Sequence, residues 1–274
     1  MPDRGSGSVG VLDADPELAR ELSPVRAREA ALRLRARAIE IPRGRWLPDQ
    51  RLFAETRPIG LLMLGGLLMR ETIVGEHPAA ELLGAGDLLR AWDDAEHEEL
   101  LHRTVEWTAL GPARVAIIDP AFITRASQWP EIVAALLDRA AQRAERLVVL
   151  QAIAHLTRVD DRLIALLWCL AERWGRVLPG GVLVSLPLSH RTLAGMVGAR
   201  RPSVTTALGR LTACGALERR ARGEWLLRAD VPEPRRPAPG GNPITPTPLR
   251  GLTSAWKMPA PPQQAALAGS QRAS

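Results

Sequence analysis

The sequence predicts an α+β chain with a β-rich N-terminal domain, a pair of helices, and a C-terminal winged helix-turn-helix. Three observations predict it. Between about residues 37 and 125, short apolar runs such as IEIPRGRWL, RPIGLLMLGGLLMRETIVG and TVEWTALGPARVAIID are broken by Gly and Pro, the texture of antiparallel strands and turns. From Pro130 to about His155 the pattern turns helical, with no Gly or further Pro inside it. Residues 188–211, LSHRTLAGMVGARRPSVTTALGRL, carry the spacing of two short helices joined by a tight turn.

In chain order, residues 1–25 read as a flexible arm and 26–127 as the β domain, with turns at Gly44, Gly65–Gly66, Gly75, Gly84–Gly86 and Gly111–Pro112. Leu-rich runs such as LLMLGGLLM fit a buried helix almost as well as a strand. Residues 128–176 hold two helices. In the first, Val133, Leu137, Ala140, Ala144, Leu147, Gln151 and Ala154 recur at alternating spacings of four and three, which lines them along one seam. Such a seam can pack against its own copy, or dock on its own domain. The second helix runs from Val159 to Trp174 with Leu163, Leu166, Leu167 and Leu170 inside, and Gly175 stops it. Residues 177–230 form the winged unit, and 231–274, rich in Pro and Gly, read as a disordered tail.

The chain has 274 residues, 46% of them apolar, enough to bury more than one core. No run of about 18 uncharged apolar residues occurs, and the opening MPDRGSGSVG lacks the apolar stretch of a secretory signal, so the expectation is a cytoplasmic protein. Cys169 and Cys214 lie in apolar helical patterns and are expected to be buried thiols. Two cysteines are too few for a cysteine-held iron-sulfur cluster. The net charge of +6 is unevenly spread: residues 177–230 carry eight Arg against Glu218, Glu224 and Asp230, while the first 176 residues are net acidic. A basic C-terminal third points to a polyanionic partner.

Within 188–211, Ser189 is placed to cap the first helix and Gly198 to end it. Pro202 is tolerated in the first turn of the second, where its missing N–H has no helical partner. Ala194, Gly198 and Val204, at offsets of zero, four and ten, supply a small residue at the crossing, a positive-φ residue in the turn and an apolar lock. Arg200, Arg201, Ser203, Thr205 and Thr206 then face outward as candidates for base contact in a major groove of double-stranded DNA. Ser189, Arg191, Arg219, Arg220 and Arg222 are candidates for phosphate contact, the last three at the tip of a two-stranded wing closed by Trp225–Leu227. The competing reading of the same unit is a scaffold that uses a winged helix to hold a protein.

DDRLIALLWCLAERWG followed by LPLSHRTLAGMVGARRPSVTTALGRLTACGALERR resembles the hinge helix and DNA-binding domain of the catabolite-activator and fumarate-nitrate-regulator (Crp/Fnr) family of transcription regulators. Coarser similarity reaches back over PIGLLMLGGLLM and LLGAGDLL, so that about residues 37–230 are covered. The resemblance implies a cyclic-nucleotide-binding-like β-roll as sensor and a dimerisation helix with seam residues Val133, Leu137, Ala140, Ala144 and Leu147. It also implies a homodimer on a palindromic operator, with RNA polymerase as a further partner. Two departures qualify it. After Gly86-Asp87 the chain places Arg90-Ala91 where nucleotide-binding members carry Gly-Glu, so the ribose ligand is missing, although Arg103-Thr104 resembles the phosphate-holding pair. Arg90, Arg103 and Thr104 are therefore the candidate effector residues, and a cyclic nucleotide held in the usual mode is not expected; a ligand-independent regulator is the alternative. In the recognition helix, Pro202 and Thr206 stand where well-known members use Glu and Arg, so the operator should differ.

HEELLH at 97–102 is not a zinc-protease motif, because His97 and His102 are five apart and diverge around a helix. No metal site is assigned to Asp93, Asp94, His97 and His102. Trp92, Trp107 and Trp129 read as core or interface residues, with an apolar ligand pocket in the β domain as the alternative. No phosphate-binding glycine loop, nucleophile elbow or paired catalytic residues occur, so no enzyme is expected.

Overall fold

The computed structural model describes residues 7–92, 101–220 and 223–228. The chain opens with β1 (Ser8–Gly10), α1 (Val11–Ala14), a 3-10 turn at Pro16–Ala19 and α2 (Pro24–Arg33). This corrects the reading of residues 1–25 as a flexible arm from residue 8 onward. Val11, Leu12, Leu18 and Leu22 are buried against Leu62, Ala116 and Ile118 of the β domain and Ile132 and Leu136 of the long helix. The four apolar side chains are spread over α1, the 3-10 turn and the bend before α2, so no single periodicity marks them.

The β domain contains β2 (Arg35–Ile41), β3 (Gly44–Trp46), α3 (Gln50–Thr56), β4 (Gly60–Gly65), β5 (Leu67–Val74), β6 (His77–Gly84), β7 (Leu88–Leu89), β8 (Thr104–Ala109) and β9 (Ala113–Ile118). Its strands form two antiparallel sheets, ordered β1-β2-β9-β4-β7 and β3-β8-β5-β6. Successive side chains of a strand point to opposite faces, and here both faces are covered. In β4, Leu61 and Met63 enter the core between the sheets while Leu62 faces the N-terminal helices. In β5 and β6, Leu68 and Leu83 face inward, whereas Met69, Ala80 and Leu82 join a second core with the C-terminal helices. That double burial is why these strands are unbroken apolar runs that also fit a buried helix.

α4 (Pro120–Ala126), capped by Asp119 through the Phe122 amide, leads to α5 (Pro130–Ala154) and α6 (Val159–Trp174). One face of α5 buries Ile132, Leu136 and Ile153, and the helix directs Arg139 at Asp15 of the N-terminal segment and Arg143 and Arg146 at Glu81 and Asp87 of the β domain. The sequence-derived seam lies on another face, where Leu137 is 67% exposed and Ala140, Ala144, Leu147 and Gln151 are exposed as well. Leu163, Leu166, Leu167 and Leu170 of α6 are buried, as the periodicity requires.

The C-terminal unit comprises β10 (Gly175–Leu178), β11 (Gly181–Val184), α7 (His190–Val197), α8 (Arg201–Ala213), β12 (Leu217–Arg219) and β13 (Trp225–Leu227). Its strands form one four-stranded sheet, β10-β11-β13-β12, so the wing is wider than the two-stranded hairpin read from sequence. The missed strands flank the turn at Gly180–Gly181, and Gly175, where α6 stops as expected, opens β10 directly. Cys169 is half-buried, but Cys214 is exposed at the end of α8, donating to the Leu211 carbonyl at 3.3 Å; the expectation of two buried thiols holds for neither in full. Among the described residues no helix is long and apolar enough to cross a membrane.

Candidate nucleic-acid interface

α7 begins at Ser189, whose Oγ accepts the Thr192 amide at 3.1 Å, satisfying one of the donors a helix start leaves open. Leu193, Ala194 and Val197 are buried. Gly198 ends the helix at φ 60°, ψ 46°, the left-handed region that glycine enters without strain. The next residue's amide returns to the Ala194 carbonyl at 3.0 Å, closing the turn. α8 follows with Pro202 in its first turn and Val204, Ala207, Leu208 and Leu211 buried against α6 and α7. The opposite surface presents Arg200, Arg201, Ser203, Thr205 and Thr206, all exposed. All five sequence-predicted base-contact residues therefore share one open face, at the N-terminal end of α8.

The hinge helix holds this pair through two arginine contacts that local sequence patterning does not show. Arg162 of α6 donates from Nη1 to the Val197 and Gly198 carbonyls, both at 3.2 Å, and from Nε to the Leu156 carbonyl at 2.6 Å. It thereby satisfies carbonyls that the end of α7 leaves without helical partners. Arg210 of α8 reaches the buried Asp160 carboxylate at 2.9 and 3.1 Å, where Arg158 also arrives at 3.2 Å. Orientation of the recognition helix is thus tied to the first turn of α6. α7 also lies on the β domain: a Cβ on Gly195 would stand 3.2 Å from the Ala80 Cβ, so only glycine permits this close approach without displacement.

The hydroxyls on the open face are partly spent. Thr205 Oγ1 and Thr206 Oγ1 each donate to the carbonyl four residues back, Arg201 and Pro202, at 3.1 Å. Thr205 has a second partner, His190 Nδ1 at 2.9 Å. Sequence reading missed His190, because nothing in a linear pattern pairs residue 190 with 205.

Of the candidate phosphate residues, Arg191 is exposed, Ser189 is occupied as a cap, and Arg219 lies over the Trp225 ring at 5.7 Å. Arg220 pairs with Glu218 at 2.9 Å and Arg228 with the same carboxylate at 2.7 Å; hydrogen bonding from Arg228 holds the Glu218 carboxyl below its usual pKa. Arg222 lies outside the described residues, as do Asp93, Asp94, His97 and the tail after 230.

This two-helix turn, with its sheet and hinge, coincides with a known domain model over residues 161–230. That model describes a Crp-like helix-turn-helix domain, and residues 161–230 match it. Over about 70% of its length the chain shares the fold of solved Crp/Fnr-type proteins. A cyclic nucleotide-binding domain containing protein from Listeria monocytogenes aligns with a TM-score of 0.56 at 14% identity, covering 69% of this chain and 87% of that one. A doubly substituted CooA from Carboxydothermus hydrogenoformans aligns at 0.54 and 18% identity, covering 70% and 83%. The c-di-GMP responsive global regulator CLP of Xanthomonas campestris aligns at 0.51 and 19%, covering 70% and 94%. No curated protein matches the sequence.

In the β domain, Arg90 follows β7 and lies over the Trp92 ring at 5.1 Å, while Arg103 and Thr104 stand exposed at the start of β8. Trp107 and Trp129 are buried, and Trp92 packs on Phe53 with ring centroids 5.3 Å apart. Glu81 of β6 receives Arg143 through two contacts of 2.7 and 2.8 Å. Burial alone would pull the Arg143 pKa down, but the Glu81 hydrogen bonds and charge outweigh it, and the guanidinium stands above its ordinary value. Asp87, its side chain 2% exposed, accepts from Arg146, from Arg173 at 2.7 Å and from the Gly84 amide at 2.8 Å. One buried carboxylate thereby joins the β domain to both α5 and α6. Arg70, partly buried beside Trp107, has its pKa lowered by burial and by the nearby Arg143 and Arg103.

Proposed function

We propose that this protein is a homodimeric transcription regulator that binds a palindromic operator through α8, with the β-roll as its sensor region. The observation that carries the reading is the exposed face of Arg200, Arg201, Ser203, Thr205 and Thr206, held by a buried apolar underside and by Arg162 and Asp160. An arginine-fronted helix on a compact basic domain supplies both phosphate attraction and base-edge donors. Two copies are the natural assembly, because α5 offers Leu137, Ala140, Ala144, Leu147 and Val148 to solvent along one helix, and paired helices would cover them.

Effector gating in this reading does not use a cyclic nucleotide in the usual manner. The α5 guanidiniums directed at the roll already meet Glu81 and Asp87, so an anionic effector would have to displace internal carboxylates. A cleft of about 420 Å³ between β6, α5 and α7 includes Leu147, Gln151 and Ala154 in its lining, residues that a partner α5 would approach.

Selection of bound duplexes from random DNA, run with and without candidate cyclic nucleotides, tests the reading. The expected product is a two-fold symmetric site whose enrichment does not depend on the nucleotide. Unselective retention of DNA would refute it and favour a protein-binding scaffold.

A further inference from the structure

The hydrogen-bond arithmetic at Thr205 separates it from its neighbour Thr206. A hydroxyl has one proton to donate, and Thr205 Oγ1 gives it to the Arg201 carbonyl at 3.1 Å. With that proton spent, the 2.9 Å contact with His190 Nδ1 is satisfied by the ring tautomer that bears its proton on Nδ1 and donates it to Thr205. Threonine in a helix otherwise divides between two side-chain rotamers. Thr205 is held in one of them by a bond on each side of its oxygen, whereas Thr206, among the described residues, has its own-helix bond to Pro202 alone. With donor and one lone pair engaged, what remains for Thr205 to offer a groove is chiefly its methyl group.

We infer that His190 is a specificity-determining positioning residue, which ties up the Thr205 hydroxyl so that position 205 reads the 5-methyl group of thymine rather than a polar base edge. The inference rests on the proposed DNA binding and adds to it the chemistry of one readout position. A threonine methyl against a thymine methyl is an apolar contact available in the major groove, where that methyl distinguishes thymine. His190 itself stands at the head of α7, half-buried, and acts through Thr205.

The test uses the full chain and the duplex obtained by selection, with each thymine of a half-site replaced in turn by uracil, which lacks only the methyl. For the wild type, one such replacement should weaken binding about fourfold, the value of one buried methyl-sized group. Thr205→Val keeps the methyl and loses the hydroxyl, and should retain that thymine-to-uracil ratio. Thr205→Ser keeps the hydroxyl and loses the methyl, and should reduce the ratio below about twofold. His190→Ala and His190→Gln should also flatten it, while His190→Asn, whose amide nitrogen can occupy the place of Nδ1, should restore it. A merely structural role for His190 would weaken thymine and uracil duplexes equally and leave the ratio unmoved, which would overturn the inference. Loss of the ratio in Thr205→Val, or no uracil-sensitive position in the wild type, would overturn it too. Absence of any selected duplex overturns the proposed function as well, so the two failures are distinct.

Discussion

Replacing Asp87 with Ala removes the one carboxylate that joins three parts of the chain: the Gly84–Asp87 turn, Arg146 of α5 and Arg173 of α6. Breaking a buried ion pair by deleting one partner costs about 3–5 kcal/mol, because the remaining charge is left uncompensated. Here the orphaned guanidiniums are 34% and 22% exposed and can recruit water, which reduces the expected loss to about 2–3 kcal/mol. Asp87→Asn keeps an acceptor for the Gly84 amide but not the charge, and should lose roughly half as much. In urea, with a slope of about 2–3 kcal/mol per molar, the Ala variant's midpoint should fall by about 1 M. Hydrogen exchange should show the loss locally, in the 84–89 turn and the C-terminal turns of α6, with α2 unaffected. A midpoint shift below about 0.2 M, or equal loss of protection throughout the chain, would refute the claim that this carboxylate fastens the roll to the hinge.

Gly198→Ala places a Cβ in a left-handed turn and should cost about 1–2 kcal/mol, read as a lowered urea midpoint and weaker operator binding. Arg191→Ala should weaken DNA binding evenly across sequences and reduce the slope of log affinity against log salt by about 1, measured by titration at several salt concentrations. Burial raises the Asp15 pKa, partly opposed by Arg139. A carboxyl with a raised folded pKa contributes stability below its unfolded pKa of about 4 and loses that contribution as pH rises through the folded value. Asp15→Asn should therefore gain stability relative to the wild type between about pH 4 and neutrality, as followed by urea midpoints across that range.

The recognition unit was legible in the sequence because its determinants are local. Ser189, Gly198, Pro202 and the buried set Val204, Ala207, Leu208 and Leu211 act within a turn or two of their neighbours, so spacing alone placed the exposed arginines and threonines. The α6 leucines were legible for the same reason. The N-terminal segment was not: Val11, Leu18 and Leu22 find their partners on β4, β9 and α5, a hundred or more residues away in the case of α5.

By itself, then, the sequence determined the periodic elements, the sharp turn between α7 and α8, and which face of α8 is polar, since each follows from backbone preferences and amphipathic spacing. Only the tertiary structure decided what those faces meet. It set Arg162 on the α7 carbonyls, Arg210 on Asp160, Asp87 between two helices, and His190 on Thr205. Such contacts depend on where distant segments cross, and an ion pair or a hydrogen bond of about 3 Å leaves no periodic trace in the chain that makes it.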